Sequence, residues 1–96
     1  MPTFMSFVNW TDSTAADPKG MRQRQAGAKE MVAKFGGTVI GLYVVTGQYD
    51  AVMIVEFPDG DAMTKMALSA GQTGHVRTHT VRAFSEDEIG KIVDEL

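Results

Sequence analysis

The sequence has no cysteine, which removes disulfides, thiolate metal sites and thiol nucleophiles from its chemistry. An excess of positive charge is also missing. Nine Lys and Arg stand against twelve Asp and Glu, giving a net charge of −3 and a pI near 5.2, whereas binding a phosphate backbone needs a basic face. Nucleic acid is therefore not expected as a partner. No apolar run approaches the roughly 18–20 residues of a membrane-spanning helix, and residues 1–20 lack the basic stretch and apolar core of a signal peptide. These absences predict a soluble, cytoplasmic protein with no membrane partner. Ser-His-Asp arrangements, phosphate-cradling glycine loops, paired-carboxylate signatures and metalloprotease motifs are absent too, so no cofactor is implied and no familiar enzyme class is indicated.

What is present fits a single domain over residues 1–96, because this length with 44% apolar content has room for one core. Folding at this size buries roughly 60–65% of the surface that the unfolded chain exposes, a modest reserve that self-association would supplement. Thr3–Trp10 alternates, with Phe4, Ser6, Val8 and Trp10 on one side and Met5, Phe7 and Asn9 on the other, which predicts a strand. Residues 11–16 are small and polar and read as a loop. Asp17 then suits an N-cap, with Pro18 at the first helical position. Met21, Ala28, Met31, Val32 and Phe35 follow at helical spacing, and Gly36-Gly37 ends that helix. Lys19, Arg22 and Arg24 near its start run against the helix dipole, as a solvated basic turn or as a contact for an anion or acidic partner.

Thr38–Val45 and Ala51–Phe57 read as strands joined by a turn at residues 46–50, so the pair forms a hairpin. Residues 58–61 break the second strand and cap a second helix, in which Met63, Met66, Ala67 and Ala70 recur; Gly71 to Gly74 closes it. His75–Ala83 is a fourth, less apolar strand near an edge. Ser85 to Glu88 is a capping box that opens a short final helix with Ile89, Ile92, Val93 and Leu96 as its apolar stripe. The order predicts an α+β, ferredoxin-like βαββαβ fold: an antiparallel four-stranded sheet, two helices on one face, and a short C-terminal helix. Ala51, Met53 and Val55 alternate with Val52 and Ile54, so the middle of the sheet is apolar on both faces. Two helices cover one face only. The other predicts a homodimer or higher oligomer joined through the sheet face, a dimeric α/β barrel-like assembly, with the last helix packed over an edge.

Asn9-Trp10-Thr11, Gly47-Gln48-Tyr49-Asp50, Val76-Arg77-Thr78 and the segment from Ala83 to Glu88 together resemble the GYD-domain family of small bacterial and archaeal proteins. The resemblance spans nearly the whole chain. Its namesake Gly, Tyr and Asp lie in the hairpin turn, here with Gln48 between the Gly and the Tyr. The resemblance implies a fold like the dimeric α/β barrels. The same turn also looks like that of the effector-binding domains of leucine-responsive-type regulators, where it lies at a subunit junction that binds amino acids. This chain has no helix-turn-helix half, so a regulatory reading excludes direct DNA binding by it.

The candidate ligand-binding residues are Asn9, Trp10, Tyr43, Tyr49, Asp50, Arg77 and His79. Gly47 suits positive φ and Asp50 suits backbone amides within the turn, so the hairpin alone accounts for both; at a subunit junction, Tyr49 and Asp50 would instead contact a ligand. Arg77 with Asn9 and Trp10 would give an apolar pocket a polar end, although pairing across the sheet or dimer is the commoner fate of such an arginine. His75 and His79 lie about 13 Å apart if both are in one strand, at ~3.3 Å per residue, too far to share an ion, and no metal is expected. Several of the seven methionines, Met5, Met53, Met63 and Met66 among them, fill the core or line an adaptable pocket.

These features support a small oligomeric domain that binds a small organic ligand, or serves a regulatory role, at a subunit junction. A second reading is a cofactor-independent monooxygenase- or isomerase-like enzyme of the dimeric α/β barrel type, with its pocket between sheet and helices and His79, Tyr43, Tyr49, Asp50 and Arg77 as candidates. A third is a purely structural assembly subunit.

Overall fold

A computed structural model describes residues 1–96. The alternation of the first strand resolves into two faces: in β1 (Thr3–Trp10) Phe4, Ser6 and Val8 are buried, while Met5, Phe7 and Asn9 are half-exposed. A four-residue helix α1 (Asp12–Ala15) follows, then a 3-10 turn at Pro18–Gly20 and α2 (Met21–Lys34). The hairpin is β2 (Thr38–Val44) and β3 (Ala51–Glu56), and α3 (Gly60–Gln72), β4 (Val76–Ala83) and α4 (Glu86–Asp94) complete the chain. The sheet is antiparallel throughout, in the order β2-β3-β1-β4.

Helices α2 and α3 cover one face. Val32 from α2 and Met63 and Met66 from α3 join Phe4, Met53, Val55 and Phe57 in one core cluster. Phe57 is fully buried and meets Phe4 edge-on, with ring centroids 6.4 Å apart. Truncating such a phenylalanine to alanine costs about 3–5 kcal/mol, a large share of a small domain's stability. Ser6 is also fully buried, and its Oγ accepts a hydrogen bond from the Thr80 hydroxyl at 3.2 Å, so the polar atom in the core is satisfied.

Three local readings of the sequence change. Residues 12–15 form α1 where a loop was expected. One helical turn is too short to show periodicity, and it is held by long-range bonds: the Thr11 hydroxyl donates to the Gly74 carbonyl at 2.9 Å and the Thr11 N–H to the His75 carbonyl at 3.1 Å. Pro18 opens the 3-10 turn rather than α2, and the Asp17 side chain caps no backbone amide. Instead Arg24 folds back onto Asp17, donating from Nη2 to its carbonyl at 2.7 Å and lying 3.5 Å from its carboxylate through Nη1. A cation near a helix start thus finds its own acceptors.

The third change concerns α4. Its capping box forms, with the Ser85 N–H donating to Glu88 Oε1 at 3.0 Å and the Glu88 N–H to Ser85 Oγ at 3.1 Å. The helix does not pack over a sheet edge within the chain. Ile89, Ile92 and Val93 are 44%, 43% and 56% exposed. Arg82 tethers only the helix start, its guanidinium 4.2 Å from the Phe84 ring centroid and 3.7 Å from the Glu88 carboxylate, so the apolar stripe beyond is left without a surface to meet.

The second sheet face carries no helix. A bulge at Ile40 shifts the register of β2 between Val39 and Gly41, which turns Leu42 towards the core and Tyr43 onto the open face. Two cross-sheet rows result: Gly41, Ile54, Met5 and Val81, and beside it Tyr43, Val52, Phe7 and His79. The Tyr43 ring lies over Gly41, where a Cβ would come within 2.9 Å of it.

Candidate functional site

The loop between β2 and β3 is fixed to the end of β1. Gly47 has a φ of +117°, a conformation that side chains rarely adopt, and the chain then doubles back. The Asp50 N–H donates to the Val8 carbonyl and its carbonyl accepts from the Val45 N–H, both at 2.9 Å. Asp50 Oδ2 accepts from the Trp10 N–H at 2.9 Å, and Asn9 Nδ2 donates to the Gln48 carbonyl at 3.0 Å. The Asp50 carboxylate therefore binds a neighbouring strand and not an amide within its own turn.

This anchoring lays Tyr49 on the open sheet face. Its ring centroid is 5.0 Å from that of Phe7 and 5.8 Å from that of His79, and Phe7 and His79 are direct partners across β1 and β4. Asn9 and Arg77 are partners one step further along the same two strands. Tyr43 lies at the far end of the row that holds Phe7 and His79. Of the sequence candidates, Asn9, Tyr49, Arg77 and His79 thus gather at one end of the open face, and Tyr43 shares that face at a distance. Trp10 does not join them: it points to the helix-covered side and lines a cavity beneath α2. Asp50 is engaged in backbone bonding at the base of the cluster.

Phe7 is the residue that the sequence did not single out. Its signal was the alternation itself, which puts an aromatic with Met5 and Asn9 on the face opposite Phe4. The cluster offers two aromatic rings, an imidazole and an amide, and strand register sets Arg77 beside the amide. Such groups bind and orient a ligand by stacking and hydrogen bonding. His75, at the foot of β4, lies away from it, with Nδ1 3.4 Å from the Thr14 hydroxyl, and no group of three or more His, Asp or Glu is placed to hold a metal ion. No helix is long and apolar enough to cross a membrane.

Comparison with known proteins agrees with this architecture. A curated relative, the glutamine synthetase and cystathionine beta-lyase binding protein of Thermus thermophilus, is 32% identical over 88 residues, covering 88% of this chain and 90% of that protein. Among solved structures, a feast or famine regulatory protein of Mycobacterium tuberculosis complexed with L-methionine superposes with a TM-score of 0.65 at 18% identity. That match covers 88% of this chain and 51% of the regulator, so the chain spans about half of its length. TTHA0845 from Thermus thermophilus superposes with a TM-score of 0.56 at 24% identity, covering 88% of this chain and 95% of that one. The model of the GYD domain matches residues 4–93, and the chain belongs to the GYD-domain family.

Proposed function

We propose that this domain is a homo-oligomeric binding module that pairs through its open sheet face and holds a small organic ligand where Tyr49 borders the junction. The observation that carries the reading is the placement of Tyr49 over Phe7 and His79, on a face whose Met5, Val52 and Ile54 have no cover in the chain. Monomeric proteins rarely leave a contiguous apolar sheet face to water. The fold shared with a regulator solved with L-methionine supports an amino acid or similar metabolite as the ligand class. The test is a thermal-shift screen of amino acids and small metabolites, because a ligand that binds only the folded state raises its apparent stability. A hit that stabilises the native protein and not the Tyr49→Ala variant supports the reading. A screen without any stabilising compound, with light scattering showing a monomer, overturns it.

A second reading is favoured by a separate observation, the exposed apolar stripe of α4, and by what the Thermus relative's name says of that protein. In this reading the domain docks onto an enzyme, glutamine synthetase being the first candidate. Co-elution with glutamine synthetase that is lost in Ile92→Lys, with the oligomeric state unchanged, supports it; absence of co-elution rejects it.

A further inference from the structure

On the side of the sheet away from Tyr49, a cavity of about 120 Å³ lies between the strands and α2. Trp10, Leu42 and Met53 form its floor, and Met21, Ala28 and Met66 its roof. It persists because alanines come from both layers, Ala28 and Ala70 from the helices and Ala51 from β3, where longer aliphatic side chains would close the gap. Apolar cavities of roughly 150 Å³ accept benzene, so this somewhat smaller one suits a branched aliphatic tail.

The lining is apolar except for Arg24, Gln25 and Thr78, and Arg24 is its only charged member. Arg24 is held in place by the Asp17 carbonyl at 2.7 Å and, more loosely, by the Asp17 carboxylate at 3.5 Å. That carboxylate belongs to a side chain 65% exposed, and such solvated ion pairs are weak and exchangeable. A guanidinium has five N–H donors, so Arg24 can keep its backbone bond and still take an anion.

We propose that this cavity is a binding site for a small apolar monocarboxylate, its tail among the methionines and its carboxylate on Arg24. The site lies on the face opposite the Tyr49 cluster and stands or falls independently of the junction. Trp10, the sole tryptophan, lines the cavity and supplies the readout. In fluorescence titrations of the full chain, isocaproate should give a saturable change, isoamyl alcohol a weaker one and isoamylamine none. Arg24→Gln should weaken isocaproate binding about tenfold or more, the effect of losing a charge-assisted hydrogen bond. Ala28→Leu should abolish binding by filling the space, with circular dichroism confirming the fold; Arg24→Gln, at a half-buried residue outside the core cluster, provides the test should the leucine variant fail to fold. Absence of a saturable change with isocaproate, an equal response to isoamylamine, or native affinity in a folded Ala28→Leu or Arg24→Gln variant overturns the proposal.

Discussion

The carboxylate of Asp50 accepts the backbone N–H of Trp10 at 2.9 Å, across forty residues of sequence. This bond closes the end of β1 and fixes the loop that carries Tyr49. The Asp50 N–H and carbonyl are committed as well, to Val8 and Val45, so one residue joins the loop to β1 at two points and closes the loop on itself at a third.

Replacing Asp50 with alanine leaves the part-buried Trp10 N–H without its acceptor. The expected cost is about 1–3 kcal/mol, the usual penalty for a stranded buried donor. For a domain of this size each kcal/mol lowers Tm by roughly 4–8 °C. Asp50→Asn retains an acceptor oxygen and should lose less. Thermal denaturation of the two variants checks this, and an alanine variant as stable as the native chain would show that the bond contributes nothing.

Two glycines should respond in opposite directions to alanine. Gly47 has φ +117°, so a Cβ there is strained although the space is open, and Gly47→Ala is expected to cost at least about 1 kcal/mol. Gly27 lies inside α2 with nothing within 4 Å of a built Cβ, and Gly27→Ala is expected to stabilise by roughly 0.5–1 kcal/mol. Urea denaturation of both reads the contrast; the same sign in each would contradict the backbone assignment.

Helix α4 should depend on pH through Glu88. Its carboxyl is held below the ordinary carboxylate range, chiefly by the backbone N–H of Ser85, then by the Ser85 hydroxyl, with Arg82 adding a smaller attraction. Because the folded value is the lowered one, the contribution is present above the ordinary carboxyl range and is lost as pH falls through the folded value. The protection of the Ile89 amide, its slowing relative to the intrinsic exchange rate at the same pH, should therefore fall on acidification, and Ser85→Ala should lower that protection even at neutral pH. Protection unchanged by either would mean the capping box does not hold the helix in solution.

Much of this arrangement was legible in the sequence, where a local signal decided it. Alternation assigned both faces of β1, the spacing of Met63 and Met66 set the buried side of α3, and Ser85 with Glu88 announced the cap of α4. Features decided by contacts distant in sequence were not legible. The bulge at Ile40 sets which face Tyr43 occupies, and it follows from pairing with β3 rather than from any pattern within β2. The N-terminal turn of α1 depends on Gly74 and His75, some sixty residues away. The grouping of Asn9, Trp10 and Arg77 as one polar pocket end fails for a different reason: the alternation of β1 already sets Trp10 and Asn9 on opposite faces, and the structure keeps them there.

The open face supplies the last prediction. Ile54 lies with Met5 and Val81 in the row next to the Tyr49 cluster, so a change there tests association without touching the proposed ligand contacts. A stable homodimer buries roughly 800 Å² per partner with an apolar centre, which the rows through Met5, Phe7, Val52 and Ile54 can supply. In Ile54→Lys an ammonium would have to be desolvated at that centre, whereas in an isolated subunit it reaches water along its own stem. The variant is therefore expected to fold and to become monomeric by light scattering, while the native chain is dimeric or larger. Stabilisation by any ligand bound at the junction should disappear with the dimer. A variant that keeps the native mass would move the interface elsewhere, and the exposed stripe of Ile89, Ile92 and Val93 on α4 would be the surface to test next.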